Sequence, residues 1–354
     1  MKKILVIRLS SLGDVVLTAP ILRAMRLQAG VEVHLLTKPY MGDLLKGGDA
    51  VDRFYTWGEP NLFAKLKSEK YDGVLDLHCN FRSYRTLLNL FLCTTRVFRL
   101  DWPGQGYDKK RFQRWLFVKT KSPRFSVSHV QERYLQAANG LLQMLIQDEN
   151  GSVVSGGLDG NQRTELVLSN YGGGLPSYPK QAGVENYGVA ILGGTYATKR
   201  ISEKVWEMVF RCDERRWVLI GGKDDKAMAQ RLAQQFGGQL VDQVGVFDLA
   251  TSARCIAQAA IVVGGDTGFT HVAASYNKPT LVIWGNTHPG LGFAAGKNNE
   301  NVLHLMPKSL SCHPCTKLGF DECPKAHFSC MNDYSMAEIK LLLQKLQAFS
   351  LEGS

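Results

Sequence analysis

Several things are missing from this sequence, and each absence removes a class of protein. No run of about 18 or more apolar residues occurs, which argues against a transmembrane helix. The amino terminus, Met1 to Arg8, has a short apolar stretch that Arg8 interrupts. It reads as a first β-strand rather than a signal peptide, so the expected compartment is the cytoplasm. No G-x-G-x-x-G follows that strand, which disfavours a dehydrogenase. A Walker A motif is absent throughout, which disfavours a P-loop NTPase. Helix-turn-helix, RNP and zinc-finger signatures are lacking, so no nucleic-acid partner is expected. No D-x-D pair stands at a strand end, so catalysis does not demand a divalent metal. Acidic residues are scarce in one stretch: residues 80–133 hold 12 Lys and Arg against 3 Asp and Glu.

That stretch carries most of the net charge of +10. It reads either as a solvated basic face or as a site for an anionic macromolecule or membrane surface. The 354 residues, 45% hydrophobic and 21% charged, are enough for two globular domains with separate cores.

Short apolar runs alternate with amphipathic stretches, which implies parallel sheets covered by helices on both faces. Residues 3–8, 32–37, 53–56, 73–77 and 96–100 read as strands. Residues 150–186 are rich in Gly and Pro, and the alternation restarts at Tyr187. Strands are expected there at 187–192, 217–220, 239–241, 260–263 and 280–284. The fold class is therefore α/β, with two Rossmann-like domains facing across a cleft. The expected domains are 1–160 and 187–335, with a linker at 161–186. The helix in 336–354 is free to pack back on the first domain.

Three segments at strand ends carry the chemistry, because ligands of open α/β sheets sit at the carboxyl ends of strands. Arg8-Leu9-Ser10-Ser11-Leu12-Gly13-Asp14 places a carboxylate where a helix begins; Asp14 is either a general base or a helix cap. Gly193-Gly194-Thr195-Tyr196-Ala197-Thr198-Lys199-Arg200 brings hydroxyls and cations to a rim. There Lys199 or Arg200 can neutralise a departing diphosphate. Gly264-Gly265-Asp266-Thr267-Gly268-Phe269-Thr270-His271 offers glycines for close approach and helix amides for phosphate. A fourth, weaker segment is Gly221 to Asp225, where Asp225 can accept from ribose hydroxyls or cap a helix.

Together these segments resemble glycosyltransferase family 9, the ADP-heptose:lipopolysaccharide heptosyltransferases. The likeness is strongest at Arg8–Asp14 and at Asp266–Ala274, continuing through Lys278-Pro279-Thr280 to Gly285–Gly290. Segments His129–Tyr134 and Asp76–Ser83 share it. The resemblance implies a GT-B enzyme that moves a heptose from a nucleotide-diphosphate sugar, ADP-heptose by expectation, with inversion. The acceptor would be an anionic lipopolysaccharide core glycolipid at the inner membrane face, with the protein peripheral to that membrane. It assigns the base to Asp14 and the leaving-group cation to Lys199. Donor contacts are expected from Thr195, Thr198, Asp225, Asp266, Thr267, Gly268, Thr270 and His271. Acceptor contacts are expected from Ser10, Ser11, Arg82, Lys110 and Arg111. Two departures stand out: Ile201-Ser202 replaces Trp-Pro after the lysine, and Lys223 stands where some members carry Glu. Both leave the choice of sugar nucleotide open, and a non-catalytic nucleotide or glycan binder is the competing class.

Four of the eight cysteines, Cys312, Cys315, Cys323 and Cys330, are spaced C-x2-C-x7-C-x6-C with His313 and His327 among them. A structural zinc is one reading, and free thiols are the other. No cofactor is required for catalysis on either reading.

Overall fold

The computed structural model describes residues 1–90, 97–99, 107, 109–147, 173–177, 186–297, 299–308 and 310–352. Cys93 and most of the expected 150–186 boundary lie outside them. The chain divides into two compact units, Met1–Lys109 with Val130–Ser177, and Lys110–His129 with Tyr178–Ser354.

The first unit is built on β1 (Lys3–Ile7), α1 (Leu12–Gln28), β2 (Glu32–Thr37), α2 (Pro39–Leu45), β3 (Arg53–Thr56), α3 (Leu62–Ser68), β4 (Gly73–Asp76), α4 (Phe81–Leu90) and β5 (Val97–Arg99). Helix α5 (Arg111–Thr120) belongs to the second unit, and α6 (Val130–Gln147) returns to the first. The five strands are parallel in the order β3-β2-β1-β4-β5. Runs such as Ile4-Leu5-Val6-Ile7 are buried throughout, as strands covered on both faces require. Helices α1 and α6 pack together on one face. On the other, Leu62 and Leu66 of α3 and Leu87 and Leu90 of α4 close over Leu5, Ile7 and Val74.

The second unit runs β6 (Gly188–Ile191), α7 (Glu203–Cys212), β7 (Trp217–Ile220), α8 (Lys226–Phe236), β8 (Leu240–Asp242), α9 (Leu249–Gln258), β9 (Ile261–Gly264), α10 (Gly268–Ser275), β10 (Thr280–Ile283), β11 (Val302–Leu305), α11 (Ser329–Asn332) and α12 (Met336–Glu352). Its six parallel strands follow the order β11-β10-β9-β6-β7-β8. That is the doubly wound order, with the topological switch between β6 and β9. In the first sheet the switch falls between β1 and β4.

Two placements differ from the sequence reading. Helix α12 packs within the second unit, where Ile339, Leu343 and Leu346 bury against Val205, Trp206 and Val209 of α7. It therefore completes that core rather than crossing back. The segment 110–129, expected inside the first domain, is held in the second unit by specific contacts. Arg114 Nε donates to Leu291 O at 3.0 Å, and its guanidinium lies 3.9 Å from the Phe293 ring centre. Val127 N–H donates to Gly290 O at 2.8 Å, and His129 Nε2 is 2.9 Å from Ala294 O.

Candidate functional site

Each sheet gathers charged loops at its own switch point. In the first unit the turn after β1 carries Arg8 and Asp14, which form an ion pair. Arg8 is buried and also donates to Leu77 O at the end of β4. One guanidinium thus bridges the two strands that flank the switch. Asp14 is seated on the first turn of α1. Its Oδ2 accepts from Ser11 Oγ at 2.9 Å and from Ser11 N–H at 3.3 Å. Its Oδ1 accepts from the buried Tyr134 hydroxyl at 3.3 Å. The carboxylate is about one-fifth exposed (19%), within reach of a ligand. It therefore closes the α1 terminus and presents a base to solvent at once.

Beside it the turn after β4 is shaped by buried Asp76, whose Oδ1 accepts from His78 N–H at 2.8 Å and Cys79 N–H at 2.9 Å. Burial, then the cations of Arg8 and Lys109, push His78 down to about 4. It stays neutral at physiological pH. Lys109 Nζ donates to His78 O and Cys79 O. Ser10 and Ser11 stand on the same rim, and Arg82 is exposed on the first turn of α4.

In the second unit the turn after β6 meets the start of α10. Lys199 Nζ pairs with Asp266 Oδ2 at 2.6 Å, and both side chains are mostly buried. Burial raises the Asp266 carboxyl, but Lys199, His271 and the Thr287 hydroxyl outweigh it and hold the group below its ordinary value. Thr287 Oγ1 donates to Asp266 Oδ2 at 2.9 Å. Close approach of the loops depends on glycine: a Cβ on Gly265 would lie 2.5 Å from Lys199 O, and one on Gly285 2.7 Å from Thr198 O.

The expected donor residues fall into two sets. Thr195 is exposed, Lys199 and Asp266 form the pair, and Thr267 and Gly268 open α10 with His271 on its first turn. The others hold the loops. Thr198 Oγ1 donates to Phe320 O and accepts from Phe320 N–H and Asn286 Nδ2, each at 2.8 Å. Thr270 Oγ1 donates to Thr267 O at 2.7 Å. Asp225 is buried beneath Gly193 and Gly221, with its Oδ2 accepting from Gly222 N–H at 2.8 Å. Burial raises its carboxyl, whereas neighbouring Asp224 is exposed. Lys110 and Arg111 begin α5 and so stand on this unit, while Ser10, Ser11 and Arg82 stand on the other.

The cysteine segment borders the same loop. Cys315 N–H donates to Asn286 O at 3.2 Å. Cys312 Sγ and His327 Nε2 are 3.7 Å apart. Burial, then the thiols of Cys315, Cys323 and Cys312, push Cys330 up to about 12. Among the described residues no group of three or more His, Cys, Asp or Glu converges as a metal-binding set. The residues that sequence reasoning did not single out are Arg8, Tyr134, Asn286, Thr287 and Phe320. The first four lie inside motifs already quoted, but their roles depend on contacts across the fold.

Two Rossmann-like units, each with polar loops at its switch point, make this a protein of the GT-B type. The structure of Escherichia coli ADP-heptose lps heptosyltransferase II shares the fold with a TM-score of 0.67, at 18% identity over 99% of both chains. Escherichia coli heptosyltransferase WaaC with ADP gives 0.61, at 18% identity over 97% of this chain and 99% of that one. In sequence, lipopolysaccharide heptosyltransferase 1 of Pseudomonas aeruginosa is 28% identical over 339 residues, covering 89% of this chain and 86% of the relative. The family model for glycosyltransferase family 9 (heptosyltransferase) matches residues 60–319, and the chain belongs to that family. It is a glycosyltransferase. Among the described residues no helix is long and apolar enough to cross a membrane.

Proposed function

We propose that this protein transfers a heptose from ADP-heptose to an anionic lipopolysaccharide core acceptor, inverting the anomeric carbon. The observation that carries the donor half is the Lys199–Asp266 pair, 2.6 Å long, at the β6/β9 switch beside the start of α10. A diphosphate arriving there meets an ammonium already oriented by Asp266, together with the free amides of the helix terminus. Thr195, Thr267, Gly268 and His271 face that ligand. Thr198, Thr270 and Asp225 keep the loops in shape. As the glycosidic bond to ADP breaks, charge grows on the leaving phosphate, and Lys199 neutralises it.

Asp14 is the base. Its ion pair with Arg8 holds the carboxylate in place beside the acceptor. It takes the proton of the acceptor hydroxyl as the new C–O bond forms. Ser10, Ser11 and Arg82 on the first unit, and Lys110 and Arg111 on the second, are assigned to acceptor phosphates and carboxylates. The acceptor is membrane-borne, so the protein works in the cytoplasm at the inner membrane face.

The test is Asp14→Asn, which preserves shape and removes the base. Turnover should fall by roughly 100- to 10,000-fold, while calorimetry finds ADP binding unchanged on the second unit. Near wild-type turnover would reduce Asp14 to a helix cap. A panel of sugar nucleotides in the same assay decides the donor.

A further inference from the structure

Helix α5 has two faces with different chemistry. Its inner face is committed to the second unit: Arg114 covers Phe293, and the Phe117 ring lies 5.2 Å from that of His288. Its outer face presents Arg111, Phe112, Trp115 and Lys119. Phe112 is 71% exposed and Trp115 49% exposed. Their rings stack on each other with centres 5.8 Å apart. Two aromatic rings in water, with a cation at each end of the row, are what burial in a protein core avoids and a membrane interface favours.

The surroundings point to the same partner. Between residues 109 and 131 there are seven Lys and Arg and no Asp or Glu. The one hydroxyl of the helix, Thr120 Oγ1, donates back to Leu116 O at 2.8 Å. A single ten-residue helix is also far short of the roughly 800 Å² per partner that stable protein interfaces bury. We infer that the outer face of α5 docks on an anionic phospholipid bilayer, with Phe112 and Trp115 entering the headgroup layer and Lys119 meeting lipid phosphates. The inference rests on the reading that the acceptor is carried by a lipid. Its physical basis is the pairing of interfacial aromatics with phosphate-seeking cations.

The experiment is co-sedimentation with vesicles of phosphatidylcholine alone and of phosphatidylcholine with about one-third phosphatidylglycerol. The wild-type protein should bind the anionic vesicles and not the neutral ones. The double variant Phe112→Ala/Trp115→Ala should lose at least about ten-fold in partitioning. It should keep its turnover on a deacylated, water-soluble acceptor. Lys119→Glu, a surface change that leaves the aromatics in place, should weaken anionic binding as well, which separates lost docking from misfolding. Binding of the double variant equal to wild type would overturn the proposal. So would failure of the wild type to bind anionic vesicles, or a dimer that the double variant dissociates. If the wild type binds vesicles but transfers no sugar to the soluble acceptor, the functional reading fails while the docking surface stands.

Discussion

Tyr134 lies 120 residues from Asp14 in the chain, yet its hydroxyl donates to that carboxylate at 3.3 Å. The Arg8 guanidinium, 5.5 Å from the Tyr134 ring centre, pairs with the same carboxylate. Two buried neighbours thus aim one carboxylate that is about one-fifth exposed. Tyr134→Phe removes one of the donors that hold the carboxylate in place. The expected result is a fall in kcat of roughly ten-fold, equivalent to about 1.4 kcal/mol, with ADP affinity unchanged. Wild-type turnover would show that the phenol only fills space. The place of Asp14 at a strand end was legible from the turn after β1, and strand ends in such sheets face ligands. Tyr134 was not, because no local spacing links a residue of α6 to the start of α1.

The turn after β6 shows the same division among elements. The backbone of the cysteine segment braces it: Thr198 N–H donates to Phe320 O at 3.1 Å, and Ser202 Oγ donates to Met331 O at 2.9 Å. Ser202 occupies the N-cap position of α7, but its hydroxyl serves α11 rather than the helix it precedes. Thr198→Val would strip three hydrogen bonds from a buried site and leave Asn286 Nδ2 and Phe320 N–H without that acceptor. The cost is about 1–3 kcal/mol for such a buried loss. The thermal midpoint should fall, and ADP should bind more weakly because Lys199 follows Thr198 in the chain. Retained ADP affinity in a destabilised variant would separate the brace from the donor loop. The strands and long helices were readable from period and apolar content. Strand β11 was not, since Val302-Leu303-His304-Leu305 is a four-residue edge strand whose short apolar run is broken by His304. The expected donor roles of Thr198, Thr270 and Asp225 show the limit for side chains. Residue type and position say that a hydroxyl or carboxylate is near a ligand, not whether the protein already uses it.

For the molecule as a whole, half-buried histidines that stay neutral set an acid limit. Burial first, then neighbouring positive or histidine groups, brings both His78 and His288 down to about 4. His304 and His313 are lowered as well, mainly by burial. In the unfolded chain these rings take protons below about pH 6.5. The folded form binds fewer protons in that window, so stability is full above it and declines as pH falls from about 6.5 to about 4. Thermal midpoints measured across that range should drop steadily. His288→Gln should flatten part of the slope, and a slope identical to wild type would exclude His288 as a contributor.

The excursion of residues 110–129 has a further meaning for how this protein can be taken apart. The chain passes between its two units three times, after Lys109, after His129 and after Ser177. No single scission therefore yields the two halves. A fragment beginning near Tyr187 lacks α5 and uncovers the His288–Phe293 loop, while its complement carries a helix whose seat is elsewhere. Modularity here is spatial but not genetic: exchanging the second unit between relatives requires moving two separate stretches of the gene together.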